Sequence, residues 1–230
     1  MAEKGAFRIE ELASATGYQQ IPELTHSISV SSQKAIDEAL TVLKAHKDSW
    51  VTLEVTERVA ILEEITRGMM KVADRWVAAS LEAKGMLANQ IAEAEEWVLF
   101  ATVVRALQLL RKSLIDIQKY GRPRISGRVT TRQDGQVVAQ VFPRNRIESI
   151  LFRRVTGEVW MEPGVTVEET TKMQALHYRY RNHKGKIALV LGAGNASFLP
   201  VIDCLHKLFI EDQVVVLKLN PVNAYLGPLI

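Results

Sequence analysis

The chain is predicted to adopt an α/β fold, with helices in its first half, β-hairpins in the middle and one strand–helix–strand crossover near the carboxyl end. Three observations predict it. Apolar residues recur three and four apart between Lys34 and Ile117, the period of a helix with one buried face. Short alternating runs around Asp134-Gly135 replace that period after Tyr120. Two unbroken apolar runs, IALVL and VVVLKL, then flank an amphipathic segment, as parallel strands flank a crossover helix.

The 230 residues are 47% apolar and 24% charged, which excludes a disordered or fibrous chain. Twenty-nine basic and 26 acidic residues are intermixed, giving a net charge of +3 without a basic block, so nucleic acid is not implied. A single cysteine excludes an intrachain disulfide framework and a cysteine-based metal site, which suits a reducing compartment, so a cytoplasmic location is expected. No apolar run reaches the ~18 residues of a bilayer span, so no membrane role is expected. The stretch MAEKGAFRIEELA has neither a signal-peptide core nor an Arg-rich, acid-poor transit composition and reads as untargeted.

Residues 1 to 30 are mixed and weakly periodic. A first helix is expected from a capping Ser32 to about His46, with Ile36, Leu40 and Leu43 on one stripe. A second starts near Thr56 as cap, carries Val59, Leu62, Ile65, Met69, Val72, Trp76, Val77 and Leu81, and breaks at Gly85. A third runs from Gln90 to Ile117 and ends before Gly121 and Pro123. ISGRVTTRQ and QVVAQVFP form a hairpin about Asp134-Gly135. SILFRRVT and EVWMEP read as a second hairpin joined around Gly157, and Thr166 to Tyr180 as one further helix.

Phe198, Val201, Ile202, Leu205, Leu208 and Phe209 form the stripe of the crossover helix, between strands expected to be buried on both faces. The loop Gly192-Ala193-Gly194-Asn195-Ala196-Ser197 lies at the carboxyl end of the first strand, where open α/β sheets bind ligands. Its glycines permit close backbone approach, and the helix N-terminus favours an anion. The ordinary dinucleotide fingerprint wants Gly or Ala at position 197 and an acid ending the second strand, whereas Ser197 and Lys218 stand there. A plain tight strand-to-helix turn uses the same glycines.

Leu191 to Asn195 followed, 23 residues after Asn195, by the Lys218 that ends VVVLK resembles the NAD(P)-dependent aldehyde dehydrogenase family. The upstream order of helices and a long hairpin fits the same family. The resemblance covers most of the chain and implies the start of an incomplete Rossmann-like nucleotide-binding domain, with 1–119 as its helical lead-in, 120–163 as a β-hairpin region for subunit association and 164–230 as the first βαβ unit. It implies that the Asn195 amide donates to the oxyanion formed when a thiolate attacks an aldehyde. It also implies that Lys218 contacts the adenosine ribose and that the backbone of Leu191, Gly192, Ala193 and Gly194 lines the adenosine side of the cleft. The residues themselves leave Asn195 equally readable as a positive-φ or helix-capping asparagine, and Lys218 as a solvated strand end.

Departures accompany the match. Ala193-Gly194 replaces the family's Pro-Trp pair, Pro221 stands where an acid often holds the ribose, and Asn220-Pro221-Val222-Asn223 diverges from the family's Lys-Pro start, so NAD and NADP both remain open as cofactor. The family's cysteine nucleophile and glutamate base lie beyond the lysine, downstream of the residues present, so this chain is expected to be inactive alone. Cys204, nine residues after Asn195 on the apolar helix, reads as a packing residue, and His206 as a surface one. His177, His183 and His206 lack metal-ligand spacing. Arg144, Arg146, Arg153, Arg154, Arg179, Arg181, Lys184 and Lys186 are diluted by Glu148, Glu158, Glu162, Glu168 and Glu169. The expectation is the N-terminal part of an oxidoreductase that oxidises an aldehyde, or handles an acyl thioester, with hydride transfer to NAD or NADP, acting on a small-molecule substrate as a homo-oligomer. The alternative is a non-catalytic nucleotide-binding or oligomerisation homologue.

Overall fold

The computed structural model describes residues 30–86 and 90–230, so the weakly periodic segment read over 1–29 lies outside the described residues. The protein is mixed α/β, with three long helices, a three-stranded antiparallel sheet and a two-stranded parallel sheet among those residues. Helix α1 (Gln33–Thr52) starts where expected, with Ser32 Oγ accepting from Ala35 N at 3.2 Å. It continues past His46 because its last turn has something to pack against. Trp50 Nε1 donates to Leu208 O at 3.2 Å, and its ring meets Phe209 edge-on at 5.6 Å.

Helix α2 (Val55–Ala83) begins at Glu54, whose N–H donates to Glu57 Oε2 at 2.8 Å, so Thr56 lies inside the first turn and is not the cap. It ends at Gly85, whose φ of +63° turns the chain as the glycine there foretold. Helix α3 (Gln90–Tyr120) packs against α2. Their stripes meet in a core of Leu62, Met69, Trp76, Phe100, Val103, Leu107 and Leu114. The same cluster takes in Val201, Leu205, Phe209 and Leu226, so the helices and the crossover unit share one interior.

Strands β1 (Val129–Thr131) and β2 (Val137–Phe142) pair antiparallel with Thr131 opposite Val137, which is the hairpin read from Asp134-Gly135. Gly135 takes φ +86°. The second expected hairpin is absent. Residues of SILFRRVT fall instead in helix α4 (Arg146–Leu151) and the turn after it, and β3 (Gly157–Trp160) pairs antiparallel with β2. The reason is local capping. Asn145 Oδ1 accepts from Glu148 N at 2.9 Å, and the Glu148 carboxylate, buried against Arg105 and Arg144, fixes that turn. The expected helix over Thr166 to Tyr180 is likewise two short ones, α5 (Val167–Lys172), capped by Thr166, and α6 (Leu176–Arg179). Ala175 at φ +54° separates them. The positions that would share one face of a continuous helix here include Thr170, Thr171 and Gln174, too polar for burial to hold it together.

Strands β4 (Lys186–Leu191) and β5 (Gln213–Lys218) are parallel and joined by α7 (Leu199–Phe209), the crossover unit expected from the sequence. Both strands lie against α1 and α7. Burial on both faces is not what occurs in β4. Ala188 and Val190 are buried, whereas Leu189 and Leu191 remain 63% and 68% exposed. A 3₁₀ segment (Pro221–Leu229) follows β5 and packs back on α2. No helix among the described residues is long and apolar enough to cross a membrane.

Candidate functional site

The carboxyl ends of β4 and β5 bring the nucleotide-loop residues together. Leu191 is paired with Lys218, and Gly192 N donates to Lys218 O at 2.8 Å, so the loop leaves the sheet directly beside the terminal lysine. A Cβ on Gly192 would lie 3.1 Å from Pro200 Cγ and 3.3 Å from Lys218 O. Glycine there serves the close packing of loop, helix and strand. Ser197, 3% exposed, sits at the position where the dinucleotide fingerprint wants a small residue, and its buried Oγ has no hydrogen-bond partner.

Gly194 plays a part that its spacing does not reveal. A Cβ there would come within 2.9 to 3.1 Å of the Asn220 side-chain amide, so the space freed by this glycine is filled by the chain itself. Asn220 is held in turn by an Asx turn, its Oδ1 accepting from Val222 N at 3.1 Å. Asn223, 4% exposed, donates to Ala193 O at 2.9 Å and to Ala196 O at 3.4 Å. These two asparagines clamp the loop, and sequence reasoning assigned them no role. The signal was present in the run Asn-Pro-Val-Asn straight after a strand, where asparagine favours backbone-binding turns.

Asn195 is exposed and makes no hydrogen bond with the described residues. It does not cap α7, whose cap position is Phe198 with no side-chain cap, and it is not among the positive-φ residues. Both structural readings of this asparagine are thereby removed. Lys218 is exposed without an ion-pair partner among the described residues, although its backbone is tied to Gly192. Leu191, Asn195 and Lys218 therefore present free side chains at one end of the sheet, while Ala193 and Gly194 are half-buried behind them. This edge presents an ammonium and a side-chain amide at the strand ends. It does not suit a diphosphate cradled at Gly194, since Asn220 occupies that space.

Cys204 on α7 is half-buried, and burial, with a smaller effect of Asp203, pushes its thiol up to about 11. Such a thiol stays protonated at neutral pH and is a poor nucleophile. His206 pairs with Glu211 at 3.3 Å, away from the loop. His183 joins Asp212 at 2.9 Å, and its ring lies 5.1 Å from that of His177. No protein-family model, curated protein or solved structure matches the chain.

Proposed function

We propose that the chain is an aldehyde dehydrogenase-like nucleotide-binding unit, in which the β4–β5 strand ends hold the adenosine side of NAD or NADP. The observation that carries this reading is the pairing of Leu191–Gly192 with Lys218, with the Lys218 and Asn195 side chains both without partners among the described residues at the carboxyl edge of a parallel crossover. Open α/β sheets bind ligands at that edge. Lysine at a strand end donates and cannot accept, so it serves ribose oxygens or a phosphate, not a hydroxyl hydrogen. NAD(P) would supply hydride acceptance during oxidation of an aldehyde or handling of an acyl thioester. Asn195 would donate to a developing oxyanion, a role for which a free amide is required. In this reading Cys204 is not the attacking thiolate, since it is half-buried within α7 and burial raises its pKa.

A second reading is favoured by a different observation. Ile147, Ile150 and Leu151 on α4 are 69–70% exposed, and Val159 and Trp160 on β3 are about half exposed. Apolar surface of this kind marks association sites, which supports the hairpin region as a subunit-facing element whether or not the unit is catalytic.

Calorimetric titration with NAD and with NADP tests the first reading. Lys218→Ala is expected to weaken binding about tenfold, the loss of one charge-assisted contact, and Asn195→Ala to leave it unchanged. Equal affinity in wild type and Lys218→Ala would remove Lys218 from the site, and absence of binding to both nucleotides would overturn the proposal.

A further inference from the structure

A separate polar cleft of about 260 Å³ opens where α3 meets the hairpin region, lined by Lys112, Asp116, Arg124, Ile125, Ser126 and Arg144. We infer that this cleft binds the phosphoryl group of a small phosphate ester or diphosphate.

Its lining carries three cations against one acid, a surplus of two positive charges that matches a phosphate dianion. The acids nearby hold the main chain in place, and Asp116 engages Arg124 only through its backbone N–H and Nε, so its two Nη groups face the cleft without a carboxylate partner among the described residues. Asp116, 6% exposed, accepts from Arg124 N at 3.2 Å and pairs with its Nε at 3.4 Å. Glu148, 8% exposed, accepts from Arg144 N at 2.7 Å and takes its own ion pair from Arg105 at 2.8 Å. Both arginine-bearing segments are therefore anchored through backbone N–H groups to buried carboxylates. Arg124 is steadied further by the Tyr120 ring, 4.7 Å from its guanidinium carbon.

Among the described residues the Arg144 guanidinium hydrogen-bonds to Ser126 alone, Nε donating to Oγ at 3.3 Å. That contact leaves the Ser126 hydroxyl hydrogen free to donate. Neither Arg144 nor Lys112 has a carboxylate within ion-pair distance among the described residues. Two arginine forks, an ammonium and a hydroxyl converging from three segments form the donor set that recognises phosphoryl oxygens. The cleft is smaller than the ~300–1,000 Å³ of whole small-molecule pockets, so it takes the phosphoryl end of a ligand and leaves the remainder in solvent.

The test is calorimetric titration of the whole chain with inorganic phosphate and with pyrophosphate, at an ionic strength held constant with chloride. Saturable binding of either anion is expected, weakened about tenfold by Lys112→Ala and by Arg144→Gln, in line with loss of one charged hydrogen bond. Arg144→Gln keeps the backbone N–H that Glu148 requires, and circular dichroism checks that both variants fold. Lys218→Ala should bind pyrophosphate as the wild type does, which separates this cleft from the strand ends. Heats no larger than those of chloride, binding by both cleft variants as tight as that of the wild type, or loss only in Lys218→Ala would each overturn the assignment.

Discussion

Arg58 Nη2 lies 2.7 Å from Asp212 Oδ1, and the two side chains are 2% and 4% exposed. Arg58 comes from the first turn of α2 and Asp212 from the turn between α7 and β5, so the pair ties the helical half to the crossover unit. The guanidinium also sits 4.8 Å from the Trp50 ring and 5.2 Å from that of Tyr178, donates to Trp50 O at 2.6 Å, and leaves the second Asp212 oxygen to His183 at 2.9 Å. A buried charge is tolerated here because it is paired and hydrogen-bonded by groups from three separate parts of the chain.

Removing one member leaves the other charged and buried, so Arg58→Met and Asp212→Asn are each expected to cost about 3–5 kcal/mol. Chemical denaturation measures this. The double variant should be less damaging than the two single costs added together, because it leaves no buried charge unpaired. Single costs below about 1 kcal/mol, the range of exposed pairs, would show that the pair does not join the two halves.

Two glycines should respond in opposite directions to alanine. A Cβ on Gly185 would lie 2.1 Å from Lys47 O, and Gly185 N donates to Asp48 Oδ1 at 2.7 Å, so Gly185→Ala must push β4 away from α1. A loss of about 3 kcal/mol or more is expected. Gly68, exposed inside α2, has nothing within 4 Å of its added Cβ, and Gly68→Ala should stabilise by about 1 kcal/mol. Thermal melts of the two variants, shifted down and up, check both.

Acid should loosen the junction of α3 with the hairpin region. The Arg144 backbone N–H, followed by the Arg105 guanidinium, lowers the Glu148 pKa below the ordinary glutamate value. A depressed folded-state pKa contributes stability that is present in full above the unfolded value, near ~4.3, and is lost as pH falls through the folded one. Unfolding measured from pH 6 to pH 3 should fall less steeply for Glu148→Gln than for the wild type. Parallel curves would detach Glu148 from the acid response.

Cys204 should behave as a packing group. With its thiol near 11, alkylation by iodoacetamide at pH 8 is expected to be more than about tenfold slower than for a free cysteine of pKa ~8.5. Cys204→Ser should leave nucleotide binding as it was. Rapid, selective alkylation of the folded chain would instead mark a reactive thiol.

Local signals that demand one conformation were readable in advance. Ser32, Gly85, Asp134-Gly135 and the IALVL–helix–VVVLKL alternation each appear where their chemistry places them. A short apolar run such as SILFRRVT can serve either period. There a single cap, Asn145 to Glu148, and a buried carboxylate chose the helix. Over Thr166 to Tyr180 the helical face is polar, with Thr170, Thr171 and Gln174 on it, and Ala175 at positive φ divides the segment into two short helices.

At the loop, sequence determined that Gly192 and Gly194 would follow an apolar strand and that Lys218 would end its neighbour, because apolar runs and glycines act within a few residues of themselves. Only the tertiary structure decided what those glycines make room for. Gly194 admits Asn220, Asn223 draws in Ala193 and Ala196, and the Asn195 and Lys218 side chains are left without partners among the described residues. These contacts join residues some 26 to 30 positions apart, and the hydrogen-bond needs of a buried loop are met by whichever polar groups the fold brings within reach.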